Sequence, residues 1–408
     1  MSSARRSRDM PKLARFIGLL LGALLVTLGT ASAQNPPAQD VPSADVLRTI
    51  AAKLPHRPQT RGTTFQAALP AATGPQCGLQ HFAMTMATGS SAARSMPVLL
   101  DRKPADDNDP ITLLAVLRRV TVDADGSPRT YSPDDPHGAG TCTAETEPDG
   151  KMSYRGVCAL DDFASARLLV FQGAKKLGKG EFEAPWKSIW PLIRDKALKP
   201  IDLKQYVADA PDGYYLFYSK ASNLITLFKR EIIPQTSDHY PCRNAGGYFV
   251  AATTLQQNAA VLSNGCAPSR YMDAETVPFV VLPDDAFGNA RAGDLVIGHM
   301  AGTPADRIVY GVVGDTGPIA QFGEASVAFN RALLGKSNPI MNDHDVDALD
   351  ISSAPVTILV LGGTKALLNG DYSVANIETL GRQEFARWNG GSAGASRLLA
   401  CARELGTK

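Results

Sequence analysis

A buried strand followed at once by a tight turn constrains the fold of this chain more than any other feature of its sequence. Ile308 to Val313 is an apolar run rich in β-branched residues, which predicts a strand buried in a sheet. The strand is expected to end at Gly314, because Thr316-Gly317-Pro318 has strong turn chemistry. Ala325 to Leu334 then shows the apolar spacing of a helix, and Gly335 suits its C-cap. A strand end and a helix start therefore follow each other closely.

Each of these two positions carries a carboxylate. Asp315 follows the strand, and Glu324 precedes the helix beside Gly323. Glycines at such places let a ligand approach the backbone closely. Two carboxylates held apart on rigid elements are what glycoside hydrolysis requires, one as acid and the other as base or nucleophile. The alternative interpretation is that Asp315 is a turn residue and that Glu324 caps the helix.

The N-terminus has the features of an export signal. Basic residues are followed by an apolar run from Phe16 to Leu28, and Ala31-Ser32-Ala33 is a small-residue cleavage site. The apolar run is too short for a comfortable membrane span. We therefore interpret residues 1–33 as a signal peptide. The mature protein is expected to be secreted or periplasmic, with no membrane attachment after cleavage.

Cleavage after residue 33 changes the charge of the chain. The removed segment contains five basic residues and one acidic residue, so the formal net charge falls from +1 to about −3. This balance argues against a nucleic-acid partner and is compatible with a cationic substrate. With 44% hydrophobic and 20% charged residues, the chain has the composition of a globular protein with a sizeable core.

All six cysteines follow the cleavage site, which predicts disulfides in an exported protein. None of them has the C-x-x-C spacing of a zinc or redox motif. We expect local closure around hairpins, which leaves one long-range bridge between the two ends of a single domain. The expected pairs are Cys142 with Cys158, Cys242 with Cys266, and Cys77 with Cys401.

The remaining segments give a coarse domain plan. Residues 34–70 are predicted to be a disordered leader or linker, because they begin with the polar, proline-containing QNPPAQDVPS. Apolar runs predict further strands at Ile111–Val122 and Tyr248–Leu255, and a helix from Ile377 to Arg403 that is interrupted by glycines. The tryptophans and the Tyr214-Tyr215 pair are assigned mostly to the core.

Two acidic segments raise the question of a metal. Asp123-Ala-Asp125-Gly126 looks like the start of an EF-hand loop, but the third acidic position and the terminal glutamate are missing. This segment is either a polar turn with Gly126 at positive φ or a part of the substrate site. The segment from Asn342 to Asp347 is interpreted as a solvated loop rather than a metal site. No metal and no cofactor are expected.

Several of these segments together resemble glycoside hydrolase family 75, the endo-chitosanases. The resemblance spans roughly residues 96–401 and is most specific between residues 248 and 334. The chain departs from the family in two places. The segment between Asp315 and Glu324 is shorter than in fungal members and uncharged, and residues 159–240 have no clear counterpart. The matching segments are Gly314-Asp315-Thr316-Gly317-Pro318, Gly323-Glu324-Ala325-Ser326, Asp123-Ala124-Asp125-Gly126-Ser127-Pro128, Tyr271–Pro283 and Phe385–Cys401.

The resemblance implies an endo-acting enzyme that hydrolyses β-1,4 bonds of chitosan with inversion at the anomeric carbon. The essential aspartate and glutamate of the family fall on Asp315 and Glu324. We assign Glu324 as the general acid and Asp315 as the base, with exchanged roles as the alternative. The other acidic residues would bind glucosamine ammonium groups. The candidates for substrate binding are Asp123, Asp125, Asp273, Glu275 and Thr316.

The expected architecture is a single α+β, β-rich domain over residues 71–408, a mixed β-barrel of double-psi type with peripheral helices that acts as a monomer. Two other functions remain open. The protein could be an exported hydrolase or lytic enzyme that acts on peptidoglycan, or a non-catalytic protein that binds glycans. An acidic cleft would favour chitosan, whereas carboxyl groups that point away from any cleft would favour the binding protein.

Overall fold

The structure is a computed structural model that describes residues 40–54, 64–67, 77–88, 91–102, 110–166, 168–257, 265–283, 290–304, 307–317, 322–391 and 394–406. The predicted signal peptide and most of QNPPAQDVPS lie outside the described residues. Residues 40–408 fall in one compact unit. The architecture is α+β and β-rich, as predicted, whereas the domain boundaries stay predictions.

The strands and helices are numbered along the chain. The strands are β1 (Thr64–Ala67), β2 (Gln80–Thr88), β3 (Ser91–Leu100), β4 (Thr112–Leu117), β5 (Thr121–Asp123), β6 (Cys142–Thr146), β7 (Met152–Gly156), β8 (Leu168–Gln172), β9 (Lys175–Lys176), β10 (Ile201–Asp202), β11 (Tyr215–Ser219), β12 (Leu224–Phe228), β13 (Phe279–Pro283), β14 (Leu295–Met300), β15 (Val309–Gly317), β16 (Glu324–Ser326) and β17 (Val356–Leu361). The α-helices are α1 (Ala44–Ala51), α2 (Phe163–Ala166), α3 (Glu183–Arg194), α4 (Val327–Leu334), α5 (Asp343–Asp347), α6 (Lys365–Leu368), α7 (Val374–Trp388) and α8 (Ser396–Gly406).

A large mixed sheet carries the residues of interest. Its strand order is β1-β2-β3-β4-β17-β14-β15-β13-β16-β5. Most neighbours run antiparallel, but β13 runs parallel to β15, and β16 runs parallel to β5. The order is open at both ends, and the described strands form no closed barrel. The double-psi part of the expectation is therefore not confirmed.

Strand β15 continues beyond the glycine at which the sequence predicted its end. In the pairing with β13, Val280 lies opposite Val313 and Val281 lies opposite Asp315, so the register shifts by one residue at Gly314. A Cβ at Gly314 would come within 2.4 Å of the Phe279 ring, which explains why this position needs a glycine. Asp315 consequently belongs to the sheet rather than to a turn.

The helix predicted after this stretch is confirmed as α4. The Ser326 side chain accepts a hydrogen bond from the backbone N–H of Phe329 and so caps the helix N-terminus. Gly335 ends the helix in the left-handed conformation, at φ 64°. Glu324 is therefore not the helix cap, because it lies two residues before the N-cap Ser326, at the start of β16.

Residues 159–240, which had no counterpart in the resemblance, build a second sheet. It is antiparallel, with the strand order β10-β11-β12-β8-β9. One face packs against α1, which falls within residues 34–70, and the other packs against α3. Trp186 and Trp190 of α3 stack with ring centroids 5.2 Å apart and are almost fully buried, which confirms their assignment to the core.

Two predicted strands differ from the structure. Ile111–Val122 is divided into β4 and β5, which pair with different strands of the large sheet. Tyr248–Leu255 forms no strand, because its backbone donors reach separate partners. The N–H of Phe249 donates to the carbonyl of Tyr131, and that of Ala252 donates to the carbonyl of Ile232. An apolar run does not reveal that its hydrogen-bond partners come from separate segments of the chain.

All three predicted disulfides are present. Cys142–Cys158 closes the β6–β7 hairpin, as expected. Cys77–Cys401 joins the segment before β2 to α8, and both residues are buried in the same apolar cluster. Among the described residues, no helix is both long enough and apolar enough to span a bilayer.

Removal of the Cys77–Cys401 bridge is expected to lower the free energy of unfolding by about 2–5 kcal/mol. The bridge spans 324 residues of sequence, so its loss releases a large part of the unfolded chain. Urea unfolding of Cys77→Ala/Cys401→Ala measures the change. Cys142→Ala/Cys158→Ala, which opens a loop of sequence separation 16, is the matched control and should lose less. An equal or larger loss in that control would contradict the chain-entropy explanation.

Candidate active site

Asp315 and Glu324 lie on the two strands that flank β13. Val281 is the common partner, because it pairs with Asp315 on one side and with Glu324 on the other. Side chains at paired positions point to the same face of a sheet. Neighbouring strands lie about 4.8 Å apart, so the Cα atoms of the two acidic residues are separated by about 10 Å. The register thus presents two carboxylates on one face with a gap between them.

Strand β5 brings Asp123 to the same face. In its parallel pairing with β16, Thr121 lies opposite Glu324 and Asp123 lies opposite Ser326. Because side chains alternate along a strand, Asp123 and Glu324 share a face. Electrostatic repulsion from the Glu324 carboxylate contributes to the raised pKa of Asp123, which agrees with this placement.

The chain turns immediately after Asp123. The backbone N–H of Asp125 donates to Oδ1 of Asp123 at 2.9 Å. Gly126 has φ 89°, which agrees with one of the two interpretations of this segment, and a Cβ there would lie 1.8 Å from the carbonyl oxygen of Met272. Only glycine fits this approach, so the turn fixes Asp125 beside Asp123.

Three carboxyl groups converge at this place. One oxygen from each of Asp123, Asp125 and Asp315 lies within 4.8 Å of the others. Burial raises the pKa of Asp123 well above its usual value, and repulsion from Asp125 and Asp315 raises it further. Burial likewise raises the pKa of Asp315 to about 6, with repulsion from Asp125 as an additional cause. The cluster therefore retains protons at a pH where exposed aspartates are ionised.

The same three groups are the described residues that could hold a metal. Each offers a carboxylate oxygen, the ligand type that Ca²⁺ and Mg²⁺ prefer. Three such oxygens would supply about half of an octahedral set. The sequence analysis interpreted the acidic segment from Asn342 to Asp347 as a solvated loop. This was wrong, because the segment forms the helix α5 with Asn342 as its N-cap.

Thr254 is a site residue that the sequence analysis missed. Its hydroxyl donates to Oδ1 of Asp315 at 2.6 Å, and its backbone N–H donates to the same oxygen at 2.8 Å. Thr316, a predicted substrate-binding residue, adds a backbone N–H at 2.7 Å. The threonine lies in a plain segment, AATTLQQ, that carries no sequence signal for this role.

Tyr131 is a second missed residue, and it connects the carboxyl cluster to the second sheet. Its buried hydroxyl donates to Oδ1 of Asp125 at 2.6 Å and lies 3.2 Å from Oδ2 of Asp161. Its ring packs edge-on against Phe163 in the aromatic core of that sheet. The segment without a family counterpart thus contributes to the position of Asp125.

The two remaining predicted binding residues form a separate group around Arg129. The carboxylate of Glu275 accepts hydrogen bonds from Nε of Arg129 at 3.0 Å and from Oγ of Ser127 at 2.5 Å. Asp273 accepts a hydrogen bond from the backbone N–H of Glu275, and its pKa is raised to about 6 by burial and then by repulsion from Glu275. The guanidinium of Arg129 also lies 3.7 Å from the ring centroid of Tyr154. A cation of the protein itself therefore already engages Glu275.

A pair of acidic side chains on the rigid strands of one sheet face is the arrangement that glycoside hydrolases use. Residues 235–386 match the family model described as fungal chitosanase of glycosyl hydrolase group 75. The matched range includes β13, β15 and β16, whereas Asp123 and Asp125 precede it. A comparison with curated proteins finds no match for this chain. The resemblance to family 75 is thus confirmed over residues 235–386, and it supports hydrolysis of glycosidic bonds.

Proposed function

We propose that this protein is an exported enzyme that hydrolyses β-1,4 bonds of chitosan, acts as a monomer, and works outside the cell or in the periplasm. The observation that carries the proposal is that the family match covers the strands of both candidate catalytic carboxylates. The matched range contains the strands on which Asp315 and Glu324 flank Val281. Chitosan carries ammonium groups, and a concentration of carboxyl groups on one sheet face suits a cationic polymer.

The strand register supports an inverting mechanism. Inverting enzymes hold their two carboxyl groups roughly 6.5–9.5 Å apart to admit a water, whereas retaining enzymes hold them about 5–5.5 Å apart. Asp315 and Glu324 are separated by two strand spacings, or about 10 Å between Cα atoms. The sheet curls toward this face, because carboxyl oxygens of Asp123 and Asp315 approach within 4.8 Å although three strand spacings separate β5 from β15. The carboxyl groups of Asp315 and Glu324 should therefore lie closer together than their Cα atoms, which agrees with the inverting range.

The burial of Asp315 favours an exchange of the roles assigned from the sequence. A general acid must be protonated at the working pH, and a raised pKa provides this. In the proposed reaction, Asp315 gives its proton to the glycosidic oxygen as the bond from that oxygen to the anomeric carbon breaks. Glu324 takes a proton from the water whose oxygen bonds to the anomeric carbon from the opposite face. The products are two shorter chains, and the new reducing end has inverted configuration.

Activity is expected to fall as the pH rises above about 6, because Asp315 then loses the proton that the leaving group needs. The sign follows from the role, since an acid with this pKa is protonated below pH 6 and ionised above it. Each further pH unit should lower kcat/KM about tenfold. A soluble glucosamine oligomer is the substrate for the profile, with circular dichroism to verify folding at each pH. A profile that stays flat up to pH 8 would contradict Asp315 as the acid.

The substrate is tested by measuring reducing ends released from chitosan, chitin and peptidoglycan. The proposal predicts release from chitosan at the highest rate. Release from peptidoglycan alone, or peptidoglycan fragments that lack new reducing ends, would indicate a hydrolase or lytic enzyme of the cell wall. Retention on a chitosan column without turnover of any polymer would indicate a glycan-binding protein. Either result would overturn the proposed function.

A further inference from the structure

The two oxygens of the Asp315 carboxyl group are treated differently by the protein. Oδ1 accepts three hydrogen bonds, from the backbone N–H of Thr254, the hydroxyl of Thr254 and the backbone N–H of Thr316, at 2.6–2.8 Å. None of the described residues donates to Oδ2. If hydrogen-bond donors surrounded the carboxyl group evenly, both oxygens would accept hydrogen bonds.

The hydrogens of the two threonine hydroxyls can be assigned from the donor count. A hydroxyl has one hydrogen, and that of Thr254 is committed to Oδ1 of Asp315. The hydroxyls of Thr254 and Thr316 lie 2.8 Å apart, so Thr316 is the donor between them when Oδ1 of Asp315 carries no proton. The hydrogen bonds therefore run in one direction, from Thr316 to Thr254 and on to Asp315.

This direction decides where a proton can reside on Asp315. A proton on Oδ1 would meet the fixed backbone N–H groups of Thr254 and Thr316 and would require the Thr254 hydroxyl to reverse its hydrogen bond, whereas Oδ2 meets none of these donors. We propose that Thr254 is a positioning residue that commits Oδ1 of Asp315 to hydrogen-bond acceptance and leaves Oδ2 to carry the transferable proton. The inference deepens the proposed function and rests on Asp315 as its general acid.

The surroundings of Asp315 oppose the effect of the Thr254 hydroxyl on the pKa of this carboxyl group. The acidic groups on neighbouring elements are Asp125 from the turn after β5, Asp123 from β5 itself, and Glu324, which shares a sheet face with Asp315 from β16. Burial and repulsion from Asp125 favour the protonated form of Asp315, whereas donation by Thr254 favours the ionised form. Removal of the Thr254 hydroxyl should thus strengthen proton retention on Asp315, and removal of the Asp125 charge should weaken it.

The kinetic test uses Thr254→Val, which keeps the backbone donor and the shape but removes the hydroxyl. We expect kcat to fall about tenfold with KM within twofold, because Oδ1 loses one of three donors and the proton is no longer confined to Oδ2. The alkaline limb of the pH profile should move to higher pH. Thr254→Ser should recover most of kcat, and Asp125→Asn should move the same limb to lower pH. The matched control is Thr379→Val on the exposed surface of α7, which should behave as wild type.

Three kinetic results would overturn the proposal. One is an unchanged kcat and pH profile in Thr254→Val. Another is a Thr254→Ser variant as impaired as Thr254→Val, since this would show that the methyl group, not the hydroxyl, matters. A third is a shift of the acidic limb instead of the alkaline limb, because Asp315 would then be the base.

A second readout separates this inference from the proposed function. Carbon-13 NMR of protein labelled at aspartate Cγ follows the titration of Asp315 without any turnover, with the signal assigned from Asp315→Asn. The midpoint should rise in Thr254→Val and stay close to wild type in Thr254→Ser. If wild type cleaves no polymer but these shifts occur, the proposed function fails while the control of Asp315 by Thr254 stands. If activity is present and the midpoint does not move, the positioning role fails alone.

Discussion

Asp315→Asn and Glu324→Gln are each expected to lower kcat on chitosan by about 10²- to 10⁴-fold, the usual contribution of a general acid or base. The substitutions are nearly isosteric, but an amide neither gives a proton to the glycosidic oxygen nor takes one from water. KM should change much less than kcat, because both groups act on the reacting atoms rather than on the length of the polymer. Initial rates of reducing-end release give both constants.

Two controls keep this result interpretable. Glu378→Gln lies on α7 and removes only an exposed ion pair with Arg382, so it should retain wild-type activity. Thermal unfolding should show that Asp315→Asn is folded, because an amide oxygen still accepts the backbone hydrogen bonds of Oδ1 and the substitution relieves repulsion with Asp125. A folded Asp315→Asn or Glu324→Gln variant that keeps more than about a tenth of the activity would mean that the site is elsewhere.

Arg129→Met is expected to destabilise the protein by about 3–5 kcal/mol. The side chains of Arg129 and Glu275 are only 8% and 15% exposed, and they are joined by several hydrogen bonds. Loss of the cation leaves the Glu275 carboxylate buried without its counter-charge, and the carbonyl of Cys158 also loses a donor. Guanidinium unfolding, followed by fluorescence and circular dichroism, measures the change.

The size of this effect should depend on burial. Arg382→Met removes an exposed pair with Glu378 on α7 and should cost about 0.3–0.5 kcal/mol. The double variant Arg129→Met/Glu275→Met should recover much of the loss, because no unpaired charge remains. An Arg129→Met loss below about 1 kcal/mol, or a double variant that is less stable than the single one, would contradict the account of this pair.

The sequence was sufficient where function depends on local chemistry. The C-cap at Gly335 and the disulfide Cys142–Cys158 each follow from residues close together in the chain, and each is confirmed. Asp315 and Glu324 were selected as candidates for the same reason. The positive φ of Gly126 agrees with one of the two interpretations that the sequence left open.

The sequence did not predict which residues of distant strands pair with each other. The shared face of Asp315 and Glu324 depends on β13, which enters between their strands from an earlier part of the chain. The bulge at Gly314 keeps Asp315 in the sheet, and a bulge has no signal distinct from a strand end followed by a turn. Thr254 reaches Asp315 across 61 residues of sequence, and no periodicity marks such a contact.

The role of the second sheet could not be predicted from the sequence either. Residues 159–240 contain local elements such as α3 and β11, but the sequence pattern does not indicate what these elements contribute to the site. In the structure their aromatic core surrounds the ring of Tyr131, whose hydroxyl holds Asp125. Nothing in the sequence around Tyr131 indicates that its hydroxyl donates a hydrogen bond to a carboxylate.

Proton NMR of the anomeric region during the first minutes of chitosan cleavage tests the central claim most directly. An inverting mechanism predicts that new reducing ends appear first as the α-anomer and then equilibrate, because water attacks the face opposite the leaving group. The β-anomer as the first product would contradict the inverting pair of Asp315 and Glu324. The absence of any new anomeric signal from folded wild-type protein would contradict chitosan hydrolysis itself.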